Sequence, residues 1–340
     1  MRVIDKGLMK KSVSRRSFIR GLTLLGGSLP LFPAWAHQAA PARPPRIGFL
    51  VGEGFPQLAA AFREELSRLG YIEGGNIVIE ARFSGRQIGD LEAVSAELAR
   101  MDLALIVAGA LPYALEVRKA NPSMPMVIGT CPGMVSNGFA ETLDHPGGIY
   151  TGMDELPPGV TARRLRLLKT AAPTATRVAL LSTTPGRGGH EEQLADAETT
   201  ASALGVQVRP YRAASTPELK SALERIGAES MNGLLNFQGG LSLANRQLIV
   251  DFAAERRIPA IYQATLFAEA GGLMAWAPDL SEQYREAARF VDKILKGARP
   301  GDLPVKRPAE YYLTVNAGAA RRIGLTLPKE LLAQATRVLE

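Results

Sequence analysis

The sequence predicts an α/β fold of two lobes, each a parallel sheet flanked by helices. Short apolar segments of strand type alternate with longer segments in which apolar residues recur every three or four positions. The alternation starts at residue 46 and begins again near residue 159, and 340 residues are enough for two cores. Strands that alternate with helices pair in parallel, with the helices covering both faces of the sheet.

In the first half, strands and helices are predicted in strict alternation. The helix after the first strand carries Leu58, Phe62 and Leu66 at four-residue spacing. Gly70 ends that helix. Further helices are predicted over 91–101 and 112–120, and the predicted strands cover 47–51, 76–83, 103–107, 126–128 and 148–152.

The second half repeats the pattern, which predicts two Rossmann-like lobes. A long helix begins near Ser281 and ends at Gly297, and Asp279 and Ser281 are both suitable N-caps. Tyr284, Ala287, Val291 and Ile294 lie on one apolar face of this helix. The remaining predicted helices cover 159–171, 191–204, 217–226 and 246–256, and the predicted strands cover 177–181, 206–211, 233–237, 259–262 and 272–276.

The first 36 residues have the pattern of an export signal. A basic region ends in Ser14-Arg15-Arg16-Ser17-Phe18-Ile19-Arg20, and an apolar stretch that is too short to span a membrane follows over 22–32. Ala34-Trp35-Ala36 places small residues where a signal peptidase cleaves. The paired arginines resemble a twin-arginine signal. We therefore expect a soluble periplasmic protein that starts near His37, with a leader over 37–45 and neither a lipid anchor nor membrane insertion.

Charge and composition exclude several classes of function. The net charge is +7, but residues 1–36 carry seven basic residues against one acidic residue, so the remainder is nearly neutral. A nearly neutral body argues against nucleic-acid binding. The single cysteine, Cys131, excludes a disulfide framework, and three scattered histidines make a metal cluster unexpected. No nucleotide-binding P-loop and no G-x-S-x-G motif is present.

Glycine-rich segments follow several predicted strands. Ligands of open parallel sheets bind beyond the carboxyl ends of the strands, and glycine lets backbone N–H groups approach a ligand closely. Each such loop alone is explained by a tight strand-to-helix turn, but their spread over both lobes favours a shared cleft. The segments are Gly52–Phe55, Gly109–Pro112, Gly129–Gly133, Ser182–Gly186 and Phe237–Gly240.

Signals for catalysis are weak. Ser182 and His190 have no evident third partner for hydrolysis, and Cys131 is better explained as a small buried thiol. Gly52-Glu53-Gly54 matches half of a dinucleotide-binding motif, with Gln57 at the third glycine position and Glu80 placed to meet a ribose. An exported nicotinamide-dependent oxidoreductase therefore remains the alternative function.

Longer segments resemble the substrate-binding proteins of ATP-binding-cassette (ABC) importers, in the branch that includes aromatic amino-acid binders. The resemblance extends from Arg46 to Glu340. Its strongest segments are Arg46–Leu50, Leu69–Glu80, His145–Gly152, Ile258–Tyr262, Glu269–Met274, Tyr284–Gly297 and Asn316–Pro328.

The resemblance implies a type I periplasmic-binding fold with hinge crossings near Thr151, Pro278 and Pro304. The lobes would be 46–151 plus 279–304 and 152–278 plus 305–340. The protein would be a non-enzymatic monomer without metal or cofactor that delivers an amino-acid-like molecule or small carboxylate to an ABC permease. The ligand-binding residues implied are Gly52, Glu53, Gly54, Phe55, Gly109, Ala110, Leu111, Thr130, Cys131, Ser182, Thr183, Thr184, Phe237, Gln238 and Tyr262.

Two segments depart from the family pattern. Pro132-Gly-Met-Val135 stands where the family has an Asp-Pro pair, and Ser182-Thr-Thr-Pro185 stands where it tends to have Trp-Asn-Pro. The ligand class can therefore differ from that of the family. A third interpretation, the sensor core of a sugar-repressor-like regulator, is disfavoured because no DNA-binding helix pair precedes Arg46.

Overall fold

The computed structural model describes residues 43–53, 55–84, 88–183, 189–237 and 239–340. The predicted export signal and most of the predicted leader lie outside the described residues. Residues Pro44–Glu340 form one compact unit. Within the described ranges, no helix is both long enough and apolar enough to cross a membrane.

The first sheet has five parallel strands in the order β2-β1-β3-β4-β5. Each of its strands was predicted from the apolar segments. The central strands are buried along their length, because helices cover both faces of the sheet. The strands are β1 (Arg46–Gly52), β2 (Val78–Ser84), β3 (Leu105–Ala108), β4 (Met126–Cys131) and β5 (Tyr150–Asp154).

The second sheet has seven strands in the order β12-β11-β10-β9-β8-β6-β7. The predicted parallel pairing holds through most of the sheet, but β11 runs antiparallel to β10 and β12 is parallel to β11, so these two edge strands are reversed. The reason is the route of the chain: β11 follows an excursion through the first lobe rather than a crossover helix. The strands are β6 (Arg177–Ser182), β7 (Gln207–Arg212), β8 (Gly233–Asn236), β9 (Ala260–Tyr262), β10 (Met274–Ala277), β11 (Tyr312–Asn316) and β12 (Arg337–Leu339).

The helices occupy the connections between strands. In the first lobe they are α1 (Pro56–Arg68), α2 (Ile88–Arg100) and α3 (Leu111–Ala120). The short helices α7, α9, α11 and α12 were not predicted, because five or six residues are too few to show a helical period. The others are α4 (Val160–Ala171), α5 (His190–Leu204), α6 (Thr216–Ala228), α7 (Gly240–Ala244), α8 (Arg246–Glu255), α9 (Thr265–Glu269), α10 (Leu280–Leu295), α11 (Ala317–Arg322) and α12 (Lys329–Gln334).

Each sheet separates two apolar cores. In the first sheet, Val107 packs with α1 and α10 while its neighbour Ile106 packs with α2 and α3, since successive side chains of a strand point to opposite faces. Phe49 and Phe62 stack with ring centroids 4.6 Å apart. The second sheet is arranged in the same way, with α6, α8 and α9 on one face and α4 and α5 on the other.

The long helix α10 joins the first lobe, although the strands before and after it belong to the second sheet. Its Tyr284, Ala287 and Val291 pack with the strands and α1 of the first lobe. The Asp279 carboxylate accepts hydrogen bonds from the N–H groups of Ser281 (2.7 Å) and Glu282 (3.4 Å), so Asp279 is the N-cap. The chain therefore passes between the lobes before α10 and again after it.

The earlier connection between the lobes follows β5. This strand stays paired with β4 as far as Asp154. The resemblance implied a crossing near Thr151. Met153 pairs with Lys306 of the returning chain, and the Asp154 N–H donates to the Lys306 carbonyl at 2.8 Å. Two of the connecting segments therefore lie side by side.

Candidate functional site

The carboxyl ends of the central strands of both sheets lie where the two lobes meet. The Arg246 guanidinium of the second lobe lies 5.9 Å from the centre of the Phe55 ring of the first. A Cβ built on Gly133 would lie 3.1 Å from the Gly189 nitrogen. We call the described residues of the loops after β1, β4 and β6, together with the start of α7 and Arg246 of α8, the rim loops. At Phe55 and at Gly133, described residues of the two lobes approach each other.

The glycines predicted to approach a ligand have packing roles in the first lobe. The Gly109 carbonyl accepts hydrogen bonds from the Tyr284 hydroxyl (3.0 Å) and the Thr130 hydroxyl (3.2 Å). A Cβ on Gly109 would overlap the Tyr284 hydroxyl, and one on Gly52 would lie 2.7 Å from the Tyr113 hydroxyl. Tyr284 and Tyr113 therefore explain these two glycines.

The other first-lobe candidates differ in accessibility. Glu53 is exposed, and Phe55 and Ala110 are half-buried at the rim. Leu111 and Cys131 are core residues, which argues against ligand contact. Burial raises the pKa of the Cys131 thiol well above its usual value, so the thiol is neutral. Gly54 lies outside the described residues.

The second-lobe candidates are largely interior. Ser182 is buried, and the Thr183 hydroxyl accepts a hydrogen bond from the Ser242 N–H at 3.2 Å. Phe237 belongs to the core on the α4 and α5 face. Tyr262 stacks on Phe267 at 4.7 Å in the core on the opposite face, which argues against ligand contact. Thr184 and Gln238 lie outside the described residues.

At the end of β9, the side chains of successive residues point to opposite faces of the sheet, and Tyr262 points into the core. The neighbouring Gln263 points the other way and donates to the Gln193 side-chain oxygen at 2.6 Å. Gln193 in turn donates to the Gly189 carbonyl at 3.0 Å. A buried chain of amides therefore connects the end of β9 to the start of α5.

Two buried polar residues in the second lobe, His190 and Asn236, were not among the predicted ligand-binding residues. Neither imidazole nitrogen of His190 and neither amide atom of Asn236 has a hydrogen-bond partner among the described residues. The His190 ring contacts Phe237 edge-on at 5.7 Å, and burial lowers the pKa of the imidazole. Since His190 forms no hydrogen bond there, the pairing of Ser182 with His190 for hydrolysis receives no support.

The features behind the dinucleotide alternative receive no support either. Glu80, expected to meet a ribose, pairs with Arg46 at 2.8 Å and with Arg82 at 3.7 Å. Within the described ranges, no group of three or more His, Cys, Asp or Glu residues is placed to hold a metal ion.

The rim loop that lacks the family's Asp-Pro pair is held by a carboxylate from β5. Asp154 accepts hydrogen bonds from the N–H groups of Gly133 (3.3 Å), Met134 (3.2 Å) and Leu156 (2.8 Å). Burial raises the pKa of Asp154, and these three donors oppose the shift. Asp154 therefore positions the loop after β4 and ties it to the first interlobe connection.

Five residues from both lobes, three of them buried and two half-buried, form a group where the connecting segments meet, which we call the hinge cluster. It consists of Glu155, Arg164, Trp276, Gln283 and Tyr311. The Gln283 amide donates to the Glu155 carboxylate at 3.0 Å, and the Tyr311 hydroxyl donates to the Glu155 carbonyl at 3.1 Å. Trp276 and Tyr311 stack at 4.6 Å. Arg164 donates from Nε to the Trp276 carbonyl at 2.9 Å.

Arg164 could have been noticed in the sequence. It occupies the inward stripe of α4 together with Val160, Leu167 and Leu168, where a charged residue is costly. The predicted binding residues lie instead in and near the glycine-rich loops at the strand ends. Contacts of Arg164 with Trp276 and of Glu155 with Tyr311 join residues more than 100 positions apart, so no local pattern contains them.

Comparison with known proteins assigns the family. The family model described as ABC transporter substrate binding protein matches residues 47–339. The chain belongs to this family. The type I periplasmic-binding architecture is confirmed by solved structures of ABC substrate-binding proteins with the same two-lobed arrangement.

Several relatives have recorded ligands or structures. The tyrosine-binding protein of Clostridioides difficile is 20% identical over 264 residues, which cover 78% of this chain and 75% of that protein. An ABC domain from Streptococcus pneumonia in complex with L-Trp has a TM-score of 0.80 at 21% identity, over 87% of this chain and all of that one. A conserved domain protein from Vibrio cholerae has a TM-score of 0.77 at 22% identity, over 86% of this chain and 99% of that one.

Proposed function

We propose that this family member is the extracytoplasmic receptor of an ABC importer, binding a small amino-acid-like molecule or carboxylate between its lobes. The arrangement of the lobes supports the proposal most directly. Rim loops of both lobes meet over the carboxyl ends of parallel strands, the position at which α/β sheets bind ligands. The connecting segments beneath them form the hinge cluster. The ligands of the relatives, L-Trp and tyrosine, belong to the proposed class.

In the proposed mechanism, the two lobes close around the ligand and no covalent reaction takes place. The ligand would contact both lobes and therefore favour the closed arrangement over an open one, by its differential affinity for the two. We propose that the lobes are 46–151 plus 279–304 and 152–278 plus 305–340. The closed receptor would then dock on a membrane permease. The twin-arginine-like segment supports delivery to the periplasm.

The proposal is tested by thermal unfolding of the purified chain in the presence of a library of amino acids and small carboxylates. A ligand present at about one hundred times its dissociation constant stabilises the folded state by about 2.7 kcal/mol. We expect at least one library member to raise the melting temperature in a concentration-dependent manner. A broad library without any such member would contradict the proposal, and covalent change of a bound member would contradict the absence of catalysis.

A further inference from the structure

Arg164 is a buried cation with little compensation from the protein. Its side chain is 2% exposed, and burial lowers the pKa of the guanidinium to about 10, so it remains charged at neutral pH. Nε donates to the Trp276 carbonyl. Within the part of the chain that the structure describes, no carboxylate oxygen lies within 4.0 Å of this guanidinium. A buried charge without an ion pair is strongly unfavourable unless another group compensates it.

The surroundings of Arg164 reduce this cost only in part. Glu155 acts on Arg164 through longer-range electrostatics, and the Trp276 ring lies 5.8 Å from the guanidinium carbon. The Glu155 carboxylate accepts from Gln283. The charge of Glu155 is therefore near Arg164 without forming a direct pair with it.

The other lobe contributes an unused acceptor to the same cluster. Gln283 of α10 is 2% exposed and donates through Nε2 to Glu155, but its Oε1 is buried without a partner. An unpartnered buried polar atom is energetically unfavourable. Gln283 from the first lobe therefore offers a free acceptor, while Arg164 from the second lobe has a hydrogen bond from Nε but no ion pair among the described residues. Both lie near Glu155.

We propose that Arg164 binds the carboxylate of the ligand and that Gln283 Oε1 accepts a hydrogen bond from a donor beside that carboxylate. This inference rests on the proposed function and names the chemical group by which the ligand is recognised. A planar guanidinium fits the two oxygens of a carboxylate. The nearby negative charge of Glu155 disfavours a doubly charged anion such as phosphate. Because Arg164 and Gln283 belong to different lobes, such a ligand would join the lobes at the hinge.

The first test compares acids with their amides on the full chain by calorimetric titration. The matched pairs are L-tryptophan with L-tryptophanamide, L-tyrosine with L-tyrosinamide, and benzoate with benzamide. Loss of one partner of a buried charged pair costs at least about 2 kcal/mol, which corresponds to about 30-fold in Kd. We expect any acid that binds to do so at least about 30-fold more tightly than its amide.

The second test asks whether Arg164 is the origin of that preference. Arg164→Gln should weaken the acid to the level of the amide and leave the amide nearly unchanged, a pattern that a merely structural role would not produce. Arg166→Gln, on the exposed side of the same helix, is the matched control and should retain the preference. If Arg164→Gln does not fold, the role of Arg164 is judged from Arg164→Lys and from the comparison of acid with amide on the unaltered chain.

The outcomes separate the two proposals. Equal binding of acid and amide by the unaltered chain, or a preference that survives in Arg164→Gln, would overturn the role of Arg164 and leave the receptor function intact. If the unaltered chain binds no member of any pair or of the wider carboxylate library, both proposals fail.

Discussion

At the scale of single residues, burial and the presence of hydrogen-bond or ion-pair partners distinguish functional side chains from packing ones. Gly109 and Gly52 follow strands as ligand-binding glycines do, yet each is explained by a tyrosine hydroxyl that leaves no room for a Cβ. Arg164 lies in an apolar stripe and lacks a carboxylate partner among the described residues. An interior charge without an evident structural reason is the stronger indication of a ligand, since its desolvation must be offset.

His190 leads to a prediction about pH. Burial lowers the pKa of its imidazole, opposed by Glu191 and aided by Arg212. The unfolded chain, with a histidine pKa of about 6.5, therefore takes up a proton at a higher pH than the folded one. Folded-state stability should fall as the pH decreases through about 6.5, by at most about 1.4 kcal/mol per pH unit from this group.

The measurement is the free energy of unfolding of the ligand-free chain between pH 8 and pH 5, taken from urea titrations. His190→Leu should show a smaller loss at low pH than the unaltered chain. The exposed His145 offers the matched control His145→Gln, which should retain the full loss. An unchanged pH profile in His190→Leu would contradict the assignment.

At the scale of elements, α10 contributes to both the fold and the hinge. Its apolar face completes the first core through Tyr284, Phe290 and Val291, and its first turn places Gln283 in the hinge cluster. Its charged side is organised around Arg289, which pairs with Glu65, Glu282 and Glu286 at 2.8 Å each. Loss of order at the start of α10 would therefore affect the connection between the lobes.

The N-cap of α10 can be tested by substitution. Asp279→Ala removes the acceptor for the N–H groups of Ser281 and Glu282, and N-cap losses cost about 0.5–2 kcal/mol. We expect urea titration to show a decrease of that size in the free energy of unfolding. Ser281→Ala is the control and should change it by less than about 0.5 kcal/mol, because the Ser281 backbone donates to the cap. Equal losses in the two variants would show that Asp279 is not the cap.

At the scale of the whole molecule, the two sheets are separate cores joined by connecting segments and by the rim loops. The segments at Met153 and Lys306 lie side by side where the chain passes between the lobes. Connecting segments of this kind are suited to rotation of one lobe relative to the other. Ligand affinity should therefore depend on how easily the rim closes.

A bulky side chain on the rim tests this dependence. Gly240 of α7 is exposed, and a Cβ built on it would lie 3.8 Å from Cγ of Pro112 in the other lobe. Gly240→Ala fits this space and should keep the affinity of the unaltered chain. Gly240→Trp should hold the lobes apart and weaken ligand binding in proportion to the lost closed population. Calorimetric titration gives the affinity, and unchanged urea unfolding shows that the fold is intact. Equal affinity in the two variants would argue against closure at this rim.

The alternation of strands and helices was predictable from the sequence because the apolar period is a local property. The bounds of the long elements, the repeat of the pattern and the apolar face of α10 all follow from spacings of a few residues. The antiparallel direction of β11 was not predicted because it depends on where the chain returns from. The short helices were not predicted because they are too short to show a helical period.

The two α/β halves and the family follow from local patterns and segments of the sequence. The surroundings of each candidate side chain depend on the tertiary fold. Tyr262 belongs to the core because of the face of β9 from which it projects. Position 109 is a glycine because the hydroxyl of Tyr284, 175 positions away, leaves no room for a Cβ. Glu155, Arg164 and Gln283 meet at the hinge because three connections between the lobes converge there. Long-range contacts of this kind depend on the path of the whole chain. Periodicity in the sequence indicates only which face of its own helix or strand a residue occupies.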